Sequence, residues 1–239
     1  MGPKPKQFLT LALRLTLVTS ILFPSVNNID SSTATSLINQ STTDPASIWV
    51  VVNKQLPLNP INYAPTDLVA PKFPGLNFNP YNRKLRKEAS TAAYKLAKAM
   101  NAEGKGTLVI QSAYRSYNEQ TAVHDRQVSK YGLKAGEALA ARPGYSEHQT
   151  GWAMDVSAQG QGCQIRVCFG QTKAGSWLAE NSWKYGFIVR YQKYSTFYTG
   201  YQYEPWHLRY VGVGLARVMH DDGVHTLEKF FGLPAAPNY

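Results

Sequence analysis

Two short stretches hold most of the reactive chemistry in this 239-residue chain. The first runs Ser146-Glu147-His148-Gln149-Thr150-Gly151-Trp152-Ala153-Met154-Asp155, and the second is Glu204-Pro205-Trp206-His207. Together they offer two histidines and one carboxylate that could hold a metal, with a further carboxylate near the second histidine. A hydrolytic zinc site needs three N or O ligands and an open fourth position for water. It also needs a base to take a proton from that water. His148, Asp155 and His207 could supply the ligands, and Glu204 the base.

The backbone has to bring these groups together. Side chains alternate along a strand, so the gap from His148 to Asp155 does not put both on one strand face. They meet only if His148 lies in a loop and Gly151 lets the chain turn back. Residues 152–156 read as a strand, with Asp155 on the face opposite Trp152, Met154 and Val156. Trp206, Leu208 and Tyr210 alternate on a final strand, leaving His207 and Arg209 on its other face. Glu204 precedes a proline and is expected just off that strand, free to reach over the same site. Arg115 stands directly before a helix opened by a Ser116/Glu119 capping box and stopped by Gly132. A cation there suits a carboxylate or a developing oxyanion, although a plain surface arginine fits the same position.

The remaining elements frame this site. An apolar stripe of Leu85, Ala89, Ala92, Ala93, Leu96 and Met100 predicts a helix capped by Asn79, with Pro80 at its first position, that ends near Gly104. A strand is expected over residues 107–111, a turn at Pro143-Gly144, a helix around 176–185 and a strand over 187–191. Helices near 213–221 and 226–232 close the chain. Before Glu204 lies an aromatic loop with Tyr191, Tyr194, Phe197, Tyr198, Tyr201 and Tyr203. It reads either as a packed edge or as a cleft lining, with Tyr198 and Tyr201 as candidate substrate contacts. Helices and short strands that do not strictly alternate imply an α+β fold, with a mostly antiparallel central sheet flanked by helices.

A hydrophobic fraction of 44% and a charged fraction of 17% are those of a globular protein, which excludes a disordered chain. Residues 1–24 carry Lys4 and Lys6 before a mostly apolar run broken by Arg14, and read as a signal peptide or N-terminal anchor. Residues 25–47 are rich in Ser, Thr and Asn and read as a flexible linker. A single domain is then expected over 48–239. This implies an exported, extracytoplasmic protein, in the cell wall or tethered to the membrane through its N-terminus. Cys163 and Cys168 are the only cysteines, and in a secreted chain their spacing suggests a local disulfide. The net charge of +10 falls by three if the leader is removed. In an exported chain the basic excess points to an anionic wall or membrane surface, not to nucleic acid. A monomer is expected.

The motifs resemble those of a known family. S-x-H-x-x-G-x-A-x-D followed by E-x-W-H is similar to the signature of the VanY-type zinc D-alanyl-D-alanine carboxypeptidases, relatives of the VanX dipeptidases. The S-A-Y-R-S turn at residues 112–116 agrees, as does V-N-K-x-x-P-L…Y-x-P-x-D-L over 52–68. The likeness spans roughly residues 49–221 and implies a Hedgehog/DD-peptidase-like fold. By this resemblance His148, Asp155 and His207 would bind one Zn²⁺, and Glu204 would be the general base. Arg115 would stabilise the oxyanion, and Ser146 would contact the terminal carboxylate of the substrate. The implied activity is release of the C-terminal D-alanine from peptidoglycan stem peptides. Alternatives are an L,D-carboxypeptidase acting on tetrapeptide stems, or a non-catalytic zinc-containing wall-binding module.

Overall fold

The computed structural model describes residues 41–71 and 83–239. The leader and most of the linker lie outside the described residues. Among the described residues, no helix is long and apolar enough to cross a membrane.

Four strands form the central sheet: β3 (Leu108–Ser112), β4 (Ala153–Ala158), β5 (Phe187–Tyr191) and β6 (Glu204–Tyr210). Their order is β3-β4-β6-β5, and every neighbouring pair is antiparallel, as expected. A small ribbon precedes them, in which β1 (Leu68–Val69) pairs with β2 (Leu85–Arg86). The α-helices are α1 (Lys87–Ala102), α2 (Tyr117–Tyr131), α3 (Leu133–Leu139), α4 (Lys173–Asn181), α5 (Thr196–Thr199), α6 (Val213–Asp221) and α7 (Leu227–Phe230).

Alternation on the strands decides which face packs. Trp152 just before β4, Met154 and Val156 within it, Leu208 and Tyr210 from β6, and Leu108 and Ile110 from β3 share one core. The buried stripe of α1 (Ala89, Ala92, Ala93, Leu96, Met100) and Trp177 and Leu178 of α4 close over it. Leu96 is fully buried, which stabilises the fold by roughly 1.5–3 kcal/mol. A second cluster (Ile188, Val211, Leu215, Met219, Leu227) lies under α6 and α7.

Several expectations change. The proposed cap at Asn79 and Pro80 lies outside the described residues, and α1 starts only at Lys87. The cause is tertiary: Leu85 and Arg86 are held extended by pairing with β1, so Leu85 is a buried strand residue and not part of the helix. Gly132 ends α2 as expected, but at φ +78° it also opens α3, which the sequence did not announce. The two helices touch at Gly136, where a Cβ would come within 2.7 Å of the Val128 backbone. Residues 41–47, assigned by composition to the linker, are packed on the domain. Thr42 O accepts from Val51 N at 2.9 Å, and Ser47 O accepts from the Trp152 indole at 3.0 Å.

Candidate active site

Register builds the centre of the site. Asp155 on β4 lies directly opposite His207 on β6, and Ser112 on β3 faces Asp155 from the other side. Cross-strand partners point to the same face with Cβ atoms about 5 Å apart. His148 arrives from the 3₁₀ turn Glu147–Thr150, as a loop placement required. Gly151 follows at φ +74°, in a left-handed conformation that favours glycine. His148 Nε2 then sits 3.2 Å from Asp155 Oδ2, and His207 Nδ1 sits 3.1 Å from Asp155 Oδ1. One ligand atom from each of the three residues lies within 4.8 Å of the others, and all three residues are buried. This donor set could hold a metal ion.

The outer bonds orient the two rings. His148 Nδ1 lies 2.7 Å from Ala113 O, which can only accept, so the ring keeps its proton there and turns Nε2 inward. His207 Nε2 lies 3.2 Å from Glu147 Oε2 and turns Nδ1 inward in the same way. Without metal, burial pushes His148 down to about 4, helped by the nearby Arg115. Burial also disfavours a charged His207, but its bonds to Asp155 and Glu147 prevail and carry it up to about 9. A metal therefore competes with a proton at His207 Nδ1.

Glu147 is fully buried and anchors more than His207. Its Oε1 accepts from Arg190 Nε at 2.8 Å and from Arg209 Nη1 at 2.9 Å. Arg190 in turn donates to both oxygens of Glu228, at 2.9 and 2.7 Å, and Asn53 Nδ2 donates to Glu228 at 3.0 Å. Burial would raise the Glu147 carboxyl, but Arg190 and Arg209 hold it well below the usual carboxylate range. Alternation had placed Arg209 on the His207 face without naming a partner for it. Glu147, Arg190 and Glu228 were missed, because ion partners drawn from distant segments leave no local pattern.

Glu204 is the first residue of β6, not just off the strand. Pairing with β5 shifts between Val189 and Tyr191, so that Tyr191 faces Glu204. The irregularity, at a proline that cannot donate to the ladder, turns Glu204 to the His207 face. Its Oε2 lies 3.8 Å from His207 Nδ1. Burial pushes this carboxyl up to about 7, with His207 opposing. Arg115 is held by Ser112 Oγ at 3.2 Å and Gln120 Oε1 at 2.6 Å, with Asp155 Oδ2 3.6 Å away. It is a fixed, half-buried guanidinium beside the metal-type cluster.

These groups floor a cleft of about 410 Å³, also lined by Ser146, Tyr191 and Tyr201. Tyr201 packs at a tilt against Tyr191, which packs against the His207 ring. Tyr198, unlike Tyr201, is not among the residues that line this cleft. The short α5 helix turns it outward, under Lys229 and edge-on to Phe197. Cys163 and Cys168 are joined in the loop after β4, with Cα atoms 5.6 Å apart.

The family model for VanY, D-alanyl-D-alanine carboxypeptidase, matches residues 82–213, a span that holds every residue of the cluster. The chain belongs to the VanY family. It is 43% identical to the putative carboxypeptidase YodJ of Bacillus subtilis over 79% of this chain and 68% of that one. Its fold matches the LD-carboxypeptidase LdcB with a TM-score of 0.73 at 43% identity, covering 79% and 87% of the two chains. It also matches a Glu-to-Ala variant of the vancomycin-resistance D,D-pentapeptidase VanY in complex with Zn(II). That TM-score is 0.63 at 30% identity, over 76% and 97%.

Proposed function

We propose that this chain is a zinc carboxypeptidase that releases the C-terminal D-alanine from peptidoglycan stem peptides. The observation that carries the reading is the buried His148–Asp155–His207 cluster, its rings oriented from outside, with the Glu204 carboxylate beside it. A structural zinc site takes four protein ligands, whereas three donors leave a position open for water beside the Glu204 base, which favours an enzyme over a wall-binding module.

His148 Nε2, Asp155 and His207 Nδ1 would hold the ion. Bound there, zinc supplies a Lewis acid and a water of lowered pKa. Glu204 takes the proton from the attacking water and returns it to the leaving amine. Arg115, already fixed by Ser112 and Gln120, shares the charge growing on the scissile carbonyl oxygen without having to reorganise. Ser146, a buried residue of the cleft lining, would contact the terminal carboxylate. Tyr201 lines the same cleft.

Greater likeness to LdcB supports the L,D bond of a tetrapeptide stem as the one cut. The D,D bond of a pentapeptide is the second reading, supported by the family description. Incubating zinc-loaded and chelated protein with tetrapeptide and pentapeptide muropeptides, followed by mass spectrometry, tests both. Loss of one alanine from either substrate, only with zinc, is the expected result. Intact peptides throughout would leave a binding module.

A further inference from the structure

One face of α2 runs outward along the cleft. Gln120, Val123, Arg126 and Gln127 all line it, at the spacing that stacks side chains on one side of a helix. Gln120 is the deep end, bonded to Arg115 and to Ala141 O. Arg126 follows six residues later, about 9 Å along the axis at 1.5 Å per residue. Leu139 and Ile165, the latter presented by the Cys163–Cys168 loop, line the same cleft.

The charges along the cleft are unevenly placed. Its three carboxylates (Glu147, Asp155, Glu204) sit together at the floor, around the histidines. Arg126 is exposed and, among the described residues, has no ion-pair or hydrogen-bond partner. Arg142, by contrast, is tied to Glu137 at 2.6 Å. An unpaired guanidinium on an otherwise uncharged outer wall presents a planar fork suited to a carboxylate. An extended peptide advances about 3.3 Å per residue, so 9 Å corresponds to two or three residues.

We propose that Arg126 is a specificity-determining residue. It selects peptides that carry a free carboxylate two or three residues before the bond that is cut. The proposal rests on the carboxypeptidase reading of the site, with the peptide running from Arg115 outward along α2. Amidation of that carboxylate removes the charge and the fork's partner together.

The test uses matched synthetic peptides with the same C-terminal pair, bearing either a free carboxylate or a primary amide at the upstream position. For the zinc-loaded wild type, kcat/KM should favour the carboxylate peptide about tenfold, mostly through KM, and the ratio should shrink at high salt. Arg126→Ala should bring the ratio close to one, and Arg126→Glu should invert it. A wild-type ratio of one, or a preference that survives in Arg126→Ala, overturns the proposal. If the wild type cleaves neither peptide, the carboxypeptidase reading fails instead. Fluorescence anisotropy with the same pair then decides Arg126: tighter binding of the carboxylate peptide, lost in Arg126→Ala, upholds its role, and equal affinities overturn it.

Discussion

Replacing Glu147 with Gln changes one atom and tests the internal support of the site. The Glu147 carboxylate balances two buried arginines, and its loss leaves one positive charge uncompensated. Arg190 keeps both bonds to Glu228, and Arg209 keeps the carbonyls of Ile48, Val50 and Tyr210 at 2.9–3.0 Å. Breaking a buried pair costs about 3–5 kcal/mol. Because Gln retains one acceptor oxygen, about 3 kcal/mol is expected, or roughly 6–12 °C in Tm for a domain of this size. The effect on His207 is sharper. If the Gln oxygen stays on the arginines, its amide N–H points at His207 Nε2. That ring must then accept at Nε2 and carry its proton on Nδ1, the atom facing the site. Zinc affinity should fall about 10–100-fold. Thermal melting of the metal-free protein and competitive zinc titration read the two effects separately. A Tm within about 2 °C of wild type, together with unchanged zinc affinity, would refute the reasoning.

Glu204→Gln should keep zinc, measured by metal analysis, while release of the C-terminal residue drops about 10²–10⁴-fold; near-normal turnover would remove Glu204 as the base. In the metal-free protein His207 is raised from 6.5 to about 9. Its protonated form therefore contributes stability that is complete below pH 6.5 and lost as pH rises through 9. Melting curves across that window should show Tm falling by several degrees, and saturating zinc should abolish the trend because the metal replaces the proton. Replacing Cys163 and Cys168 together with Ser should cost at most about 2 kcal/mol, since the closed loop is short. It should nonetheless raise KM, because the bond fixes Ile165 in the cleft wall; an unchanged KM would show that wall to be idle.

What could be read in advance was local. The Ser116/Glu119 capping box places Arg115 before α2 because both bonds form within four residues. Strand parity puts Asp155 and His207 on the face away from the core, and the left-handed turn at Gly151 delivers His148. What could not be read depends on distant partners. The late start of α1 follows from pairing with β1, and the turn of Glu204 follows from a register shift against β5. Tyr198 and Tyr201 lie three residues apart in one aromatic loop, yet α5 directs them to different surroundings, which composition does not encode.

The charged chain from Asn53 through Glu228, Arg190 and Glu147 to Arg209 and His207 has a consequence for the order in which the molecule is made. A ribosome emits the His148 turn long before Arg190, Arg209 and Glu228 exist. Until about residue 228 has emerged, Arg190 has Glu147 as its one acidic partner among the described residues. The support behind His207 is therefore complete only once the segment around Glu228 has joined the fold.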